Sequence, residues 1–370
     1  MKAATYKVIG LMSGSSLDGL DIAFCEFSMT SPTLWRLLNA ETIPYPPKWE
    51  SRLKHLVSQD ALVFSKTHTY FGYFMGELVN QFIEKYQIQP DFIASHGHTV
   101  FHYPMEKVTV QIGDGAALAT VTGLPVINNF RTHDIALDGE GTPLAPIADK
   151  LLFSEYNFMM NIGGIANITC NVNGKYIAFD TGYANQIFNA LANQIGLPYD
   201  AGGQLAQEGI VNQELLKKVH NFPYFSMTYP KSLDNQWIQQ NILPIYLQAE
   251  DTIPNKLRTA IEHLAQVTAQ SIDHIFKKEK YKPNTSKMLV TGGGAFNTFL
   301  MQRISEICTK HFNLTVNIPS KEIIEFKEAI LMALMGALRV ENKTNCLSSV
   351  TGAKIDSIGG AIWQGTKRFI

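Results

Sequence analysis

Twice in this chain a short apolar strand runs into a glycine-broken turn and out again into a second strand, once near residue 10 and once near residue 160. Residues 7–12 are an apolar run, Ser13-Gly14-Ser15-Ser16 breaks it, and apolar residues resume at Leu20, Ile22, Phe24 and Phe27. Residues 158–160 lead to Asn161-Ile162-Gly163-Gly164, then to residues 165–170, a turn at Asn173-Gly174 and a strand ending at Asp180. Both stretches read as strand, tight turn, strand. Each is followed by helical periodicity. Phe71, Phe74, Met75, Leu78, Val79, Phe82 and Tyr86 mark one buried face, and Leu257, Ile261, Leu264, Thr268, Ile272 and Ile275 another. Short strands at 91–94 and 287–290 then enter Ser95-His96-Gly97-His98 and Gly292-Gly293-Gly294, the latter followed by a helix through Phe299, Leu300, Ile304 and Ile307.

This is a repeat of pattern and not of residue identity. It predicts an α/β fold of two lobes facing one another across a cleft, and the length of 370 residues agrees with two domains. Residues 138–143, Asp138-Gly139-Glu140-Gly141-Thr142-Pro143, interrupt the apolar runs and place the boundary near residues 130–157. The expected lobes are 1–132, joined by the C-terminal segment 356–370, and 133–355.

A formal net charge of −1 gives no overall field toward nucleic acid or an anionic membrane. A local anion site remains open, because backbone amides hold phosphate without net positive charge. Cys25, Cys170, Cys308 and Cys346 form no C-x-x-C pair and read as reduced, buried thiols. The N-terminus lacks the apolar core of a signal peptide, and no apolar run is long enough to span a bilayer. The expected location is the cytoplasm.

The segment Gly10-Leu11-Met12-Ser13-Gly14-Ser15-Ser16-Leu17-Asp18-Gly19-Leu20-Asp21 is the richest in chemistry. Glycine lets a backbone approach an oxyanion, and turn amides with serine hydroxyls donate to phosphate oxygens. Asp18 or Asp21 suits a hydrated Mg²⁺, which needs only one or two carboxylates. An ordinary hairpin turn is an equal reading of the same residues. The segment is neither a Walker A loop nor a G-x-G-x-x-G fingerprint. Gly163-Gly164 and Gly292-Gly293-Gly294 are weak signals singly, for tight packing explains each. Together, the three turns favour a nucleotide.

Asp180 is placed either to point into the ligand cleft of an open sheet or to cap the helix carrying Ile187 and Leu191. His96, His98 and His102 suggest zinc only superficially, since no cysteine or carboxylate stands at structural-zinc spacing; hydrogen bonding within a loop is the better reading. Arg131 offers a fork for a carboxylate or phosphate, or a domain-spanning ion pair. Glu328 begins an apolar helix, where an acidic residue ordinarily serves the macrodipole.

Taken together these segments resemble the anhydro-N-acetylmuramic acid kinase family. Beside the turns above, Gln111-Ile112-Gly113-Asp114, Asn129-Phe130-Arg131, Asp180-Thr181-Gly182, Lys327-Glu328-Ala329 and Thr351-Gly352-Ala353 occur in the family's order over nearly the whole chain. The resemblance implies an actin/hexokinase-like, ribonuclease H-like ATPase fold with an interdomain cleft, and a requirement for ATP and Mg²⁺. It implies that a 1,6-anhydro-muramic sugar recovered from cell-wall turnover is hydrolysed and phosphorylated in one step. Asp180 matches the family's base, which activates water against the anomeric carbon while the released sixth oxygen takes the γ-phosphoryl group. Glu328 matches a glutamate at the sugar site.

The nucleotide is expected at Gly14, Ser15, Ser16, Leu17, Asp18, Gly19, Leu20, Asp21, Gly163, Gly164, Gly292, Gly293 and Gly294, the metal at Asp18, and the sugar at His96, Arg131 and Glu328. The partner is a small sugar, without nucleic acid or membrane, and a homodimer is left open. Ser15, His98, Phe101, Tyr183-Ala184 and residues 138–143 depart from the family's usual residues. They are expected to border the sugar pocket.

Overall fold

The repeat in the sequence is a repeat of topology. The structure, a computed structural model, describes residues 5–14, 16–281 and 283–366. The chain forms two compact units, one of residues 1–154 and 326–370, the other of 155–325. In the first, β1 (Thr5–Ser13), β2 (Gly19–Ser28) and β3 (Trp35–Pro44) make an antiparallel meander. On the other side of β1 lie β4 (Phe92–Tyr103), parallel to it, and β6 (Val126–Asn128), parallel to β4. The antiparallel strands β5 (Val108–Ile112) on β4 and β12 (Ala361–Trp363) on β6 are additions to this plan.

The second unit repeats the plan without them. Its meander is β7 (Phe158–Ile162), β8 (Ile165–Val172) and β9 (Lys175–Tyr183). Beyond β7 stand the parallel strands β10 (Ser286–Thr291) and β11 (Leu314–Asn317). Both sheets therefore run third, second, first, fourth and fifth strand, the ribonuclease H-like order of the expected fold class.

Parallel strands need a crossover, usually helical. Ala61–Tyr86 and Gly115–Thr122 supply it in the first unit, Ile253–Lys278 and Thr298–Phe312 in the second. Each begins on a side-chain cap, Asp60, Asp114, Thr252 and Asn297 in turn accepting from the amide three residues on. The periodic residues meet their cores as predicted: Phe71, Met75, Leu78, Val79 and Phe82 are buried in one, Leu257, Ile261, Leu264, Ile272 and Ile275 in the other. Each such side chain contributes roughly 1.5–3 kcal/mol by leaving water. All four cysteines are free and buried.

The units part at Ser154/Glu155, inside the expected boundary region of 130–157 but later than residue 132, and the chain returns at Phe326, not at residue 356. Side chains explain the shift. The buried carboxylate of Asp134 accepts from Thr351 Oγ1 (2.8 Å) and Gly141 N (2.8 Å), and Trp35 Nε1 donates to Leu152 O (3.3 Å). Lys327 Nζ pairs with Asp149 at 3.0 Å, both side chains largely buried. Those bonds keep residues 133–154 with the first sheet. The second crossing falls inside the helix Lys321–Val340.

That helix lies directly on the sheet. A Cβ on Gly10 would strike the Ala329 carbonyl and lie 2.8 Å from Ala333 N, and one on Gly336 would lie 2.5 Å from Ala94 Cβ. Glycine at 10 thus sets where Glu328, next to Ala329, stands over β1. Among the described residues no helix is long and apolar enough to cross a membrane.

Candidate functional site

The three glycines after β10 do different work. A Cβ on Gly292, where φ is +84°, would lie 2.7 Å from Asn161 Oδ1 and from Ile162 O, and one on Gly294 would strike the Ile162 side chain. Both are packing glycines. Gly293 is open: the nearest atom to a Cβ there is Asn185 Nδ2 at 3.7 Å. It lines a pocket of about 560 Å³ with Asn185, Phe188, Tyr199, Asn297 and Lys321. Asp200 and Glu325 line it too, and aromatic walls with a few amides, one cation and two carboxylates at that volume suit a small polar ligand with a flat ring.

Gly163 and Gly164, expected at the nucleotide, turn their carbonyls to the next helix. Gly163 O accepts from Asn185 N (3.1 Å), and Gly164 O from Ala184 N (2.9 Å) and Gln186 N (3.3 Å). The turn thereby fixes the start of the helix Asn185–Asn193, and with it Asn185 at the Gly293 pocket.

Asp180 is not a helix cap. β9 continues past it to Tyr183, and the following helix begins at Asn185 without a side-chain cap. Its Oδ2 instead accepts from Leu233 N (2.8 Å) and Ser232 Oγ (3.1 Å), while its backbone carbonyl accepts from Tyr224 Oη (2.7 Å). With Oδ2 so engaged, the carboxylate is anchored by one oxygen. Beside it Lys231 Nζ lies 4.6 Å from the Tyr224 ring centroid. Burial brings the Lys231 ammonium down to about 8, and the Asp180 charge acts in the opposite sense. The sequence reading passed over Lys231, Ser232 and Tyr224, which stand more than forty residues from Asp180 and carry no motif.

In the first unit, the turn after β1 is closed by Leu17 N on Gly14 O (3.4 Å), with Leu17 in the left-handed region at φ 61°. Ser15, expected at the nucleotide, lies outside the described residues. Ser16 Oγ donates to Asp18 Oδ1 (2.6 Å), and Asp18 is exposed. Gly19 is a packing glycine, its Cβ position 2.6 Å from Ile43 O, and Leu20 is fully buried. Asp21 accepts from Thr42 Oγ1 at 2.5 Å across β2 and β3. Of the expected set, Ser16 and Asp18 are exposed and Gly14 half-buried, Leu17 packs against the core of the first unit, and Gly19 and Leu20 build the hairpin. One exposed carboxylate suits Mg²⁺, which keeps most of its water and phosphate ligands.

His96, Arg131 and Glu328 come together. Arg131 Nε donates to His96 Nε2 (2.9 Å), and His96 Nδ1 donates to Gly97 O (3.0 Å). Burial and the Arg131 charge hold His96 down to about 4, so it is neutral at pH 7 with its proton on Nδ1. Arg131 Nη1 also donates to Gly141 O (2.9 Å), so Arg131 is a pinned fork and not a domain-spanning ion pair. Glu328 lies in the third turn of Lys321–Val340, beyond reach of the macrodipole. It keeps an exposed face, yet loss of hydration raises its carboxyl above the usual range, with Arg131 and Lys327 pulling it back. Asp134, buried and holding the 138–143 loop, is the member of this group that the sequence reading missed.

The other histidines serve separate partners: His98 Nδ1 meets Ser13 Oγ (3.2 Å), itself bonded by Tyr45 Oη (2.7 Å), and His102 Nδ1 meets Thr109 Oγ1 (3.1 Å). Among the family departures, Tyr183 is not at a pocket. It is 1% exposed, bonds Tyr246 Oη (2.7 Å) and stacks on His263. Phe101 stacks on Phe64 and Tyr103 with centroids 5.7 and 6.3 Å apart.

The chain matches the family described as anhydro-N-acetylmuramic acid kinase over residues 6–365. It is 32% identical to the anhydro-N-acetylmuramic acid kinase of Pasteurella multocida, covering 99% of each chain. It is 33% identical to that of Francisella tularensis subsp. novicida, covering 96% of this chain and 97% of the relative.

Proposed function

The chain belongs to the anhydro-N-acetylmuramic acid kinase family, and from that premise we propose that it opens the 1,6-anhydro ring of 1,6-anhydro-N-acetylmuramic acid with water and phosphorylates the released O6. The products are N-acetylmuramic acid 6-phosphate and ADP, formed in the cytoplasm during cell-wall recycling. The observation that carries the proposal is the pairing, within one unit, of an open pocket at Gly293 with an aspartate anchored through a single oxygen. A phosphotransferase needs positioning, charge neutralisation and a base, and little else.

ATP·Mg²⁺ supplies the transferable phosphoryl group and neutralises its charge. In the second unit the Gly293 pocket would receive the nucleoside. In the first, the Gly14–Leu17 turn suits phosphate oxygens and Asp18 suits the hydrated cation. Asp180 Oδ1, left over when Leu233 and Ser232 take Oδ2, would draw a proton from water. Water oxygen then bonds to C1 as the C1–O6 bond breaks, and O6 becomes the phosphoryl acceptor. Arg131, braced by His96 and Gly141, keeps the rest of its fork for the sugar's carboxylate, and Glu328 orients sugar hydroxyls.

Turnover in ¹⁸O-water tests this. With ATP, Mg²⁺ and the anhydro sugar, ADP should appear together with a sugar phosphate that carries ¹⁸O at C1 and none in its phosphate ester. Release of ADP with a non-anhydro hexosamine but not with the anhydro sugar would overturn the substrate assignment.

A further inference from the structure

Asp180 lies on β9, an edge of the second sheet, and one stretch of chain, residues 224–233, takes hold of it there. Tyr224 Oη donates to the Asp180 carbonyl (2.7 Å), and the Asp180 amide donates to Lys231 O (3.4 Å). Leu233 N (2.8 Å) and Ser232 Oγ (3.1 Å) donate to Oδ2. Backbone and carboxylate are therefore held by the same segment, which also walls an aromatic pocket of about 550 Å³ with Phe222 and Trp237. On the side of β8 the register slips at this point. Asn167 pairs with Asp180 but Ala166 with Gly182, so Thr181 is an extra residue, and its Oγ1 donates to Ala166 O (2.9 Å). A bulge of this kind bends its strand and re-aims the neighbouring side chain.

The members of the segment are anchored unequally. Leu233 is buried in the core of the second unit, so its amide is a fixed donor. Tyr224 is braced edge-on by Phe225, with centroids 5.6 Å apart. Burial and the Asp180 charge raise its phenol well above the usual range, so it stays a donor. Lys231 Nζ donates to Tyr224 O (3.3 Å), which ties the two ends of the segment together. Ser232 is the exposed member. We infer that Ser232 is a positioning residue for the reaction: with the Leu233 amide it forms a two-donor cradle for Oδ2, which leaves Oδ1 as the oxygen aimed at water. The inference rests on Asp180 being the base. The torsion that turns a carboxylate is broad, and one amide bond alone would let the group swing about that contact. A second donor from a different direction removes the freedom. General-base transfer needs the oxygen within hydrogen-bond reach of its proton, so the serine acts on the rate through Asp180 without touching the sugar.

The test is a double-mutant cycle on the full-length protein with ATP, Mg²⁺ and the anhydro sugar. Ser232→Ala should lower kcat about tenfold or more, because a small misplacement of a reacting group is costly, while sugar KM and nucleotide affinity stay near their wild-type values. Retained nucleotide binding also shows that the variant is folded. Ser232→Thr keeps a hydroxyl at the same place and should restore most of the lost kcat. In the Asp180→Asn background there is no base to aim, so adding Ser232→Ala should cost no more than about twofold; residues that act as a unit are not additive. With kcat collapsed in Asp180→Asn, three results would each overturn the positioning role and leave the base reading standing. They are an unchanged kcat in Ser232→Ala, a loss that falls on KM, and an equal loss in both backgrounds. Near-normal turnover in Asp180→Asn itself would overturn both.

Discussion

Two sheets with one strand order carry two unlike sites. The first unit presents a charged group with its hydrogen bonds made: His96 braces Arg131, Arg131 reaches Gly141, and Glu328 sits in their field. The second presents space, a pocket at Gly293 and an aromatic one at Trp237, with a single anchored carboxylate at Asp180. The hairpin turns differ in the same sense. The turn after β7 gives its carbonyls to the next helix, whereas that after β1 leaves Ser16 and Asp18 exposed. A shared topology thus fixes where strand ends lie and leaves the chemistry to a few side chains at those ends. On the proposed reading the first unit would hold substrate charge, and the second would take the nucleoside and supply the base.

The comparison breaks most visibly at Asp180. Asp180→Asn preserves size and anchoring but removes the proposed base, so kcat should fall by about 10²–10⁴-fold with sugar and nucleotide binding retained. Glu328→Gln, in the first unit, should act chiefly on sugar KM. A kcat collapse in Glu328→Gln with near-normal turnover in Asp180→Asn would exchange the roles.

Arg131→Gln is the next largest. Losing charge-assisted bonds should raise sugar KM about 10–100-fold. Glu328 also loses a neighbour that favours its ionised form, so its carboxyl should climb further and the acid limb of kcat/KM should move to higher pH. A pH–rate series on wild type and variant reads both effects, and an unmoved limb would show that the two groups are not coupled during turnover.

Neighbouring glycines sharpen the account of the second unit. Gly293→Val fills open space, so nucleotide affinity should drop roughly tenfold with little change in melting temperature, whereas Gly292→Val collides with Ile162 and should destabilise by about 1–3 kcal/mol. Calorimetric melting and nucleotide titration on the pair separate the outcomes. Equal losses of stability would mean that Gly293 is a packing residue too.

The sheets, crossover helices and three glycine turns were legible because apolar period and turn residues are local signals. Asp180, Arg131 and Glu328 stand out through their motifs, and their proposed roles rest on those. What stayed hidden was long-range. Which glycines pack and which stay open depends on Ile162 and Ile43, on other strands. Ser232 and Tyr224 reach Asp180 from a segment without periodicity. The unit boundary was set by Asp134 with Thr351 and Asp149 with Lys327, pairs that no local pattern connects. Tyr183 looked like pocket chemistry because it follows Asp180, but it packs into the core against Tyr246.

The smallest effect contrasts two buried histidines. His96 in the first unit has both ring nitrogens bonded; His263 in the second has neither nitrogen paired among the described residues, though it stacks on Tyr183 with centroids 5.1 Å apart. Burial holds His263 down to about 3. Its folded pKa is below the unfolded value of about 6.5, so at neutral pH both states are uncharged and nothing is lost. As pH falls through 6.5 the unfolded chain takes a proton that the folded one refuses, and stability drops by about 1.4 kcal/mol per pH unit until the folded pKa is reached. His263→Phe keeps an aromatic face for Tyr183 and removes both the unpaired nitrogens and that titration. It should stabilise by about 1–3 kcal/mol at pH 7 and flatten the melting curve between pH 6.5 and 4, leaving the His96 contribution, which ends near its own pKa of about 4. Urea unfolding at pH 7, 6 and 5 measures both. An unchanged pH slope in the variant would mean that His263 finds a proton partner in the folded state, and the contrast with His96 would disappear.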